Sequence, residues 1–165
     1  MFLHPEKSIG SLLLKEGMKV ADFGAGSGHL TRVISRRVGH TGYVYAIDVQ
    51  KEIVKKLEAD LEEEGIKNVK CIWGDVGVDG GTKLAGQTVD VVVMSNIFFQ
   101  TDDKLGVIDE SKRILKKGGR VLCIDWNDKG FPQKRAEELF EKRGFKFVEN
   151  LVSSSHHYGI IFKYE

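Results

Sequence analysis

One segment near the N-terminus constrains the fold of this chain more than any other. Residues 19–23 form an apolar run typical of a buried strand, and helical spacing begins at His29. Between them lie three alternating glycines: Gly24, Gly26 and Gly28. Glycine allows positive φ and lets a ligand approach the bare backbone, and a helix N-terminus offers unpaired N–H groups. The segment therefore predicts a strand–turn–helix unit that binds a ligand at its turn.

The rest of the chain alternates short apolar runs with longer amphipathic segments, which indicates βα units and a parallel sheet. The predicted strands are residues 19–23, 43–47, 69–73, 89–94, 120–126, 145–152 and 158–164. The predicted helices are residues 5–15, 29–38, 50–64, 102–116 and 132–143, and the glycine-rich stretch 76–87 is predicted to be mainly loop. The last two strands are close enough to pair as a hairpin. We therefore predict an α/β fold with a seven-stranded, mostly parallel sheet and an antiparallel last strand.

Length and charge favour one globular domain with no strong preference for polyanions. The chain has 165 residues, 41% of them hydrophobic, and a formal net charge of +1. We predict a single domain over residues 1–165, in which residues 1–18 form an N-terminal helix or lid. No apolar run approaches the roughly 20 residues of a membrane span, and no secretory signal pattern is present. We expect no membrane partner.

The two cysteines, Cys71 and Cys123, both lie within apolar runs. Free cysteine is among the most frequently buried residues, so we predict two core thiols. The sequence has no Cys-x-x-Cys motif or Cys/His cluster, and we expect no metal site. Two isolated cysteines also do not make a disulfide framework, which favours a cytoplasmic location.

The spacing of the glycines, together with the acidic residues that follow them, indicates which class of ligand this turn binds. A dinucleotide-binding turn reads Gly-x-Gly-x-x-Gly, whereas here the position of its third glycine is His29. Asp48 closes the second predicted strand, where a carboxylate can accept hydrogen bonds from both ribose hydroxyls of an adenosine-like ligand. Asp22, near the end of the first strand, could accept from the amino group of a bound amino acid. Asp75, just after the third strand, could accept from an adenine amino group.

These motifs resemble those of class I S-adenosylmethionine-dependent methyltransferases over residues 18–164. The resemblance implies a Rossmann-like three-layer sandwich, S-adenosylmethionine as cofactor and S-adenosylhomocysteine as product. In that family the glycine-rich loop holds the methionine moiety, the acid after strand two binds ribose, the residues after strand three contact adenine, and the end of strand four lies beside the methyl group. The implied cofactor-binding residues are Asp22, Gly24, Ala25, Gly26, Gly28, Asp48, Val49, Gly74, Asp75, Val76, Ser95 and Asn96.

The region around Asn96 and the turn at residues 115–121 look most like small quinone-biosynthesis methyltransferases, although Lys117 replaces a frequent proline. The acceptor expected from this likeness is a small organic molecule. RNA or protein acceptors remain open, and a basic patch from Lys112, Arg113, Lys129, Lys134 and Arg135 would favour them. A nicotinamide-dependent oxidoreductase is disfavoured by the glycine spacing and the terminal hairpin. A non-catalytic cofactor-binding protein is disfavoured by the intact loop.

Several specialised methyltransferases are disfavoured by residues 95–98, which read Ser-Asn-Ile-Phe. Enzymes that methylate amino groups of DNA bases carry a polar-Pro-Pro-aromatic motif there. A cytosine C5 enzyme needs a nucleophilic cysteine in that region, and neither cysteine fits. A ribose methyltransferase of the Lys-Asp-Lys-Glu type would place an aspartate where this chain has Asn96.

Residues that would contact the methyl acceptor are harder to identify. His156 and His157, in the turn between the last two strands, are the candidate general bases, although histidines at such positions more often belong simply to a polar hairpin turn. His29 is more fitting as a wall of the cofactor site. An apolar acceptor cleft is predicted from Phe98, Phe99 and Trp126. The segment 1–15, with Phe2 and His4, is the predicted lid, and an open cleft would suit either a bulky acceptor or closure by a second subunit in a homodimer.

Overall fold

The computed structural model describes residues 9–10, 12, 14–128, 131–153 and 156–165. The strands in this part of the chain are β1 (Lys19–Phe23), β2 (Tyr43–Asp48), β3 (Val69–Trp73), β4 (Val89–Ser95), β5 (Leu115–Trp126), β6 (Phe145–Ser153) and β7 (His157–Tyr164). The longer helices are α1 (His29–Val38), α2 (Lys51–Glu63), α3 (Lys104–Ile114) and α4 (Gln133–Lys142).

All of these strands join one sheet in the order β3-β2-β1-β4-β5-β7-β6. Strands β1 to β5 pair in parallel, and β7 lies antiparallel between β5 and β6. The predicted seven-stranded, mostly parallel sheet with an antiparallel last strand is confirmed. A parallel crossover needs a long connection, which is a helix between most of these strands and, as predicted, a loop between β3 and β4, whereas β6 and β7 need only a short connection.

Two apolar layers cover the sheet, and the central strand β4 contributes to both. Val92 and Met94 pack in a cluster with Ile108 of α3 and Phe140 of α4. On the opposite face, Val91 and Val93 pack with Ile34 of α1. Because successive side chains of a strand point to opposite faces, this continuous apolar run requires cover on both sides. The three-layer sandwich follows from it.

The predicted N-terminal helix, residues 5–15, lies partly outside the described residues, as do Phe2 and His4. Residues 9 and 10 are helical, and the N–H of Leu12 donates to the Ile9 carbonyl at 3.2 Å. Ile9 and Leu12 are buried against Leu122 and Ile161 of the sheet. The lid function of residues 1–18 stays a prediction.

Helix α3 is shorter than the predicted helix 102–116, and β5 is correspondingly longer. Leu115 already has extended backbone angles, φ −80° and ψ 134°, and pairs with Val89 of β4. The pairing then shifts and resumes where Arg120 lies opposite Val91. Gly118, at φ 80°, allows the chain to turn back between these two pairings. Pairing of the buried Leu115 with β4 therefore ends the helix two residues early.

The carboxyl ends of the parallel strands meet at one edge of the sheet. The order of the strands reverses between β1 and β4, and open α/β sheets bind ligands in the crevice at such a switch point. None of the helices in the described part of the chain combines the length and apolar character needed to cross a bilayer.

Candidate active site

A cavity of about 400 Å³ opens at this edge of the sheet, a volume typical of small-molecule sites. One side, which we call the glycine wall, consists of Gly24, Gly26, Ile47, Asp48, Val49, Gln50, Ile53, Gly74, Asp75, Val76 and Gly77. The other side, the strand-four wall, consists of Ser95, Ile97, Gln100, Thr101 and Asp102. The cavity is therefore built from the ends of β1, β2, β3 and β4.

The glycine-rich turn is fixed to the neighbouring strand by its own backbone. The N–H groups of Gly24 and Ala25 donate to the carbonyl of Ile47 at 2.8 and 3.0 Å. A Cβ on Gly24 would lie 2.3 Å from Cδ1 of Ile97, so a larger residue here would have to displace the end of that side chain. A Cβ on Gly26 would meet no atom closer than 3.9 Å. Because Gly26 lines the cavity, its missing side chain leaves that space to a ligand.

Asp48 ties the turn to the start of α2. Its Oδ2 accepts from the N–H of Gly26 at 3.1 Å, and its Oδ1 accepts from the N–H of Gln50 at 2.9 Å. An ionised carboxylate has about four acceptor sites, so about two remain for a ligand. The side chain is thus oriented by the backbone and able to accept from the two hydroxyls of a ribose. This fits an adenosine-containing ligand.

The stretch after β3 completes the glycine wall. The N–H of Gly74 donates to the carbonyl of Asp48 at 3.0 Å, which joins the ends of β2 and β3. Asp75 Oδ1 accepts from the N–H of Gly77 at 2.8 Å. Asp75 and Val76 both line the cavity, as does Val49, whose side chain is largely exposed.

Asp22 lies outside the cavity lining. It is 1% exposed, and Oδ2 accepts from the Thr31 hydroxyl at 2.6 Å. Burial raises the pKa of Asp22 to about 7, the Thr31 hydrogen bond opposes that rise, and the charge of Asp48 adds to it. The carboxyl group is therefore placed beneath the glycine turn, and its predicted role towards the amino group of the cofactor stays a prediction.

Eight of the twelve predicted cofactor residues line the cavity: Gly24, Gly26, Asp48, Val49, Gly74, Asp75, Val76 and Ser95. The other four are Asp22, Ala25, Gly28 and Asn96. Ala25 packs with Leu57 and Leu61 of α2, and a Cβ on Gly28 would lie 2.3 Å from Cδ1 of Leu57. Positions 25 and 28 of the turn therefore face α2.

The strand-four wall is held from β5. Asp125, at the end of β5, is 1% exposed, and its carboxylate accepts from the N–H groups of Phe98 at 2.7 Å and Trp126 at 2.9 Å. Burial raises the pKa of Asp125, and backbone hydrogen bonds, including those from Phe99 and Ile97, work against the rise. Asp125 thus anchors the backbone that carries Ile97 into the cavity.

Sequence reasoning missed most of the strand-four wall. It identified Ser95 but none of Ile97, Gln100, Thr101 and Asp102. Asn96, which it did identify, has φ 58° and its carbonyl accepts from Nε2 of Gln100 at 2.7 Å. The acid that closes β5 was the available signal, since it repeats the strand-end pattern of Asp22 and Asp48.

The predicted apolar acceptor cleft is only partly present. Phe98 is fully buried, with its ring 4.7 Å from that of Phe131, so it belongs to the core and not to a cleft. Its position follows from the Asp125 hydrogen bond, which turns the backbone inward at this residue. Phe99 is 40% exposed, and the ring of Trp126 contacts that of His157 at a tilt of 45°, with centroids 3.7 Å apart. Neither Phe99 nor Trp126 lines the cavity.

The two candidate bases lie at the same sheet edge but outside the cavity lining. Nδ1 of His156 is 2.9 Å from Oδ2 of Asp128, and the N–H of Asn127 donates to the His156 carbonyl at 2.8 Å. The turn between β6 and β7 is thus tied to the end of β5. His29 starts α1 and is likewise absent from the lining residues. A catalytic role for either His156 or His157 stays a prediction.

Two members of the predicted basic patch are engaged within the protein. Nζ of Lys112 donates to the carbonyl of Arg143 at 2.7 Å, and Arg113 forms an ion pair with Glu110 at 2.7 Å. Lys134 and Arg135 lie on α4, and Lys129 lies outside the described residues. The contacts of Lys112 and Arg113 are those of helix-packing residues.

Comparisons with known proteins agree with this geometry. A family model described as a methyltransferase domain matches residues 14–164. The crystal structure of an S-adenosylmethionine-dependent methyltransferase from Aquifex aeolicus superposes with a TM-score of 0.82, at 30% sequence identity, over 96% of this chain and 88% of that one.

Curated relatives share a similar level of identity over part of their length. A demethylmenaquinone methyltransferase of Lactococcus lactis is 31% identical over 140 residues, which are 84% of this chain and 54% of the relative. An arsenite methyltransferase of Homo sapiens is 33% identical over 116 residues, which are 67% of this chain and 31% of the relative. The chain therefore spans about half or less of the length of these relatives.

Proposed function

The chain belongs to the family of S-adenosylmethionine-dependent methyltransferases, and from this premise we propose that it transfers a methyl group from S-adenosylmethionine to a small organic acceptor. The observation that carries the proposal is the cavity in which the bare backbone of Gly26, the carboxylate of Asp48 and the residues after β3 meet. Its size suits one adenosine-containing ligand.

The glycine wall would hold the cofactor. Asp48, oriented by the N–H groups of Gly26 and Gln50, would accept hydrogen bonds from the ribose hydroxyls. Asp75 and Val76 would contact the adenine, and the backbone at Gly24 and Gly26 would lie against the methionine part. When bound, S-adenosylmethionine supplies an activated methyl group on a sulfonium, so the protein mainly has to position the two reactants.

The strand-four wall would receive the acceptor. Ser95 and Thr101 bring hydroxyls to the cavity, Gln100 brings an amide and Asp102 brings a carboxylate. An acceptor that loses a proton during transfer needs a base, and His156, paired with Asp128 at 2.9 Å, is the group that we would test for this role.

Cysteine placement favours an organic acceptor over arsenite, the substrate named for one relative. Soft thiolates are the protein ligands expected for a thiophilic centre. Cys123 is fully buried in the core, and Cys71 lies on the edge strand β3, where burial raises the pKa of its thiol to about 11. Neither cysteine lines the cavity.

A cytoplasmic location and a homodimer complete the proposal. Both cysteines are free, which suits a reducing compartment. A homodimer would close the open side of the cavity with a second subunit. Analytical ultracentrifugation with and without S-adenosylhomocysteine tests this, and a monomer under both conditions would contradict it.

Calorimetry with three ligands tests the cofactor assignment. We expect S-adenosylmethionine and S-adenosylhomocysteine to bind and NAD not to bind. Transfer of a radioactive methyl group to fractions of a cell extract, separated into small molecules, RNA and protein, then identifies the acceptor class. Label in the small-molecule fraction supports the proposal, whereas label confined to RNA or protein contradicts the acceptor assignment.

A further inference from the structure

Residues 74–82, which we call the β3–β4 loop, connect the cavity to helix α3. We infer that Glu110, on α3 and outside the cavity, is a positioning residue that sets the adenine side of the site through this loop. The inference rests on the proposed function, because it assumes that the ligand of the glycine wall contains adenine. Its basis is a set of contacts that none of the family motifs includes.

The carboxylate of Glu110 binds the far end of the β3–β4 loop. It is 1% exposed, and Oε2 accepts from the N–H of Gly80 at 3.0 Å. Oε1 accepts from the N–H of Thr82 at 3.0 Å and from its hydroxyl at 2.5 Å. One side chain thus satisfies two backbone N–H groups and a buried hydroxyl, which would each be costly to leave unpaired.

Arg113 keeps this carboxylate charged. Its Nε donates to Oε2 and its Nη2 to Oε1 of Glu110, both at 2.7 Å. Burial alone raises the pKa of Glu110, but the hydrogen bonds from Arg113, Thr82 and Gly80 outweigh burial and lower it to about 2. Glu110 is therefore an acceptor for all of these donors at neutral pH, and two-pronged pairing with arginine fixes its direction.

Close backbone contacts connect the loop segment that Glu110 binds to the segment that lines the cavity. A Cβ on Gly81 would lie 1.8 Å from the carbonyl oxygen of Asp75, and a Cβ on Gly74 would lie 2.2 Å from the carbonyl oxygen of Gly81. The segment held by Glu110 therefore packs directly on the segment that lines the site. Since these are backbone-to-backbone contacts without side chains between them, a shift at Gly80 must displace Asp75.

Helix α3 touches the loop at a second point. A Cβ on Gly106 would lie 2.1 Å from the carbonyl oxygen of Gly77, and Oδ1 of Asp103 accepts from the N–H of Gly106 at 2.7 Å. The loop is thus fixed to the first turn of the helix and, through Glu110, to its second half. Two points of attachment, at Gly77 and at residues 80–82, fix the part of the loop that directly follows Asp75 and Val76.

Recognition of the adenine amino group gives the inference a specific readout. A correctly placed Asp75 carboxylate accepts from the 6-amino group of adenine, whereas a 6-oxo base presents a carbonyl oxygen at that position, which repels the carboxylate. The protein should therefore prefer S-adenosylhomocysteine to S-inosylhomocysteine. If Glu110 positions Asp75, loss of the Glu110 carboxylate should reduce the preference for S-adenosylhomocysteine. General destabilisation would instead weaken the binding of both ligands alike.

The test measures dissociation constants of both compounds by calorimetry for the wild type and for Glu110→Gln. The variant keeps the size of the side chain but places amide hydrogens against N–H donors. We expect S-adenosylhomocysteine to bind about tenfold more weakly and S-inosylhomocysteine to bind nearly as before, which reduces the preference about tenfold.

Asp109→Asn is the matched control. Asp109 lies one residue away on the same helix and pairs with Arg143 at 2.7 Å. It is not among the donors and acceptors of the β3–β4 loop, so this variant should keep the wild-type preference. Thr82→Val, which removes only the hydroxyl bound by Glu110, should reduce the preference by a smaller factor. This variant replaces Glu110→Gln as the test if Glu110→Gln does not fold.

Three results would decide against the inference. These are an unchanged preference in folded Glu110→Gln and Thr82→Val, an equal weakening of both ligands, or the same loss of preference in Asp109→Asn. Failure of the proposed function has a different signature. In that case the wild-type chain would bind neither compound, and the assignment of Glu110 would fall with it.

Discussion

The two walls of the cavity are built in different ways. In the glycine wall, strand ends carry their own ligand-binding groups: Gly26 and Asp48 contact each other directly, and Gly74 bonds to the Asp48 carbonyl. The strand-four wall is held from a distance, because Asp125 supports the N–H of Phe98 across 27 positions of sequence. The first wall is thus made of residues at or just after strand ends that bind one another, whereas the second lies on a loop that a residue of the neighbouring strand β5 supports.

Both walls also rest on a buried carboxyl group, but the donors differ. Asp22 accepts from one side-chain hydroxyl, that of Thr31, and burial raises its pKa to about 7. Asp125 accepts from several backbone N–H groups, which offset part of the effect of its burial. The buried acid next to the glycine wall therefore titrates near neutral pH, whereas the buried acid behind the strand-four wall fixes a loop through its hydrogen bonds.

The largest effect that we predict is a pH dependence of stability due to Asp22. Its pKa of about 7 in the folded protein lies above the ordinary value of 3.8, so the folded state binds more protons than the unfolded state between these values. The free energy of unfolding should therefore fall as the pH rises from about 4 to 7 and then level off. At about 1.36 kcal/mol per unit, the upper bound is roughly 4 kcal/mol.

Asp22→Asn isolates this contribution, because an amide oxygen can still accept from the Thr31 hydroxyl. Urea unfolding at pH values between 4 and 8 should show a smaller decline for the variant than for the wild type. Parallel profiles for the two proteins would mean that Asp22 does not titrate in this range.

The second prediction concerns Asp48 of the glycine wall, which we propose binds the ribose of the cofactor. Saturation with S-adenosylhomocysteine at about 100 times its dissociation constant should stabilise the protein by roughly 2.7 kcal/mol. Asp48→Ala should remove most of this gain, since it deletes the proposed ribose acceptor and the support of Gly26. Asp60→Ala, which breaks only the ion pair with Lys56 on α2, should keep the gain. Thermal unfolding with and without ligand measures both, and equal shifts would contradict the ribose assignment.

The difference between the walls explains what could be predicted from the sequence. Gly24, Gly26, Asp48 and Asp75 follow strand ends directly, so spacing alone placed them at one edge of the sheet. Gln100 and Thr101 reach the cavity only because the backbone after β4 folds back. The residues just after β4 do not themselves indicate this turn of the backbone, since it depends on Asp125 in the next strand.

The limits of α3 were missed for a related reason. Helical periodicity continues through Leu115, but pairing of this residue with Val89 makes it the start of β5. The mostly parallel sheet and the antiparallel β7 were predictable because they follow from connection lengths. The pairing of a single residue with a distant strand, such as that of Leu115 with Val89, could not be predicted in this way.

The third prediction tests whether the strand-four wall depends on β5. Asp125→Asn places an amide donor against the N–H of Phe98 or Trp126, and an unpaired buried donor costs about 2 kcal/mol. We expect the variant to lose about this much stability and hydrogen exchange at residues 97–99 to accelerate. Affinity for S-adenosylhomocysteine should change much less than in Asp48→Ala.

Asp90→Asn is the control for that variant. Asp90 accepts from the N–H of Lys19 and from Nζ of Lys116 at the opposite edge of the sheet. Its loss should lower stability without accelerating exchange at residues 97–99. Acceleration of similar size in both variants would mean that the loop responds to general destabilisation and not to Asp125.

The smallest predicted effect lies where the two walls touch. A Cβ on Gly24 would lie 2.3 Å from Cδ1 of Ile97, whereas Gly65, also at φ 70°, would place its Cβ in open space. Gly24→Ala and Gly65→Ala therefore share the backbone strain and differ in the collision. We expect Gly24→Ala to cost about 1 kcal/mol more, the lower end of the usual cost of overpacking.

Ile97→Ala in the Gly24→Ala background shows whether this contact couples the walls. Removal of the Ile97 branch leaves room for the new methyl group, so the two substitutions together should cost less than the sum of their separate effects. Urea unfolding of the four proteins of this cycle measures the difference. Strict additivity would mean that Gly24 is required only for its backbone angles, and the two walls would then be independent despite their contact.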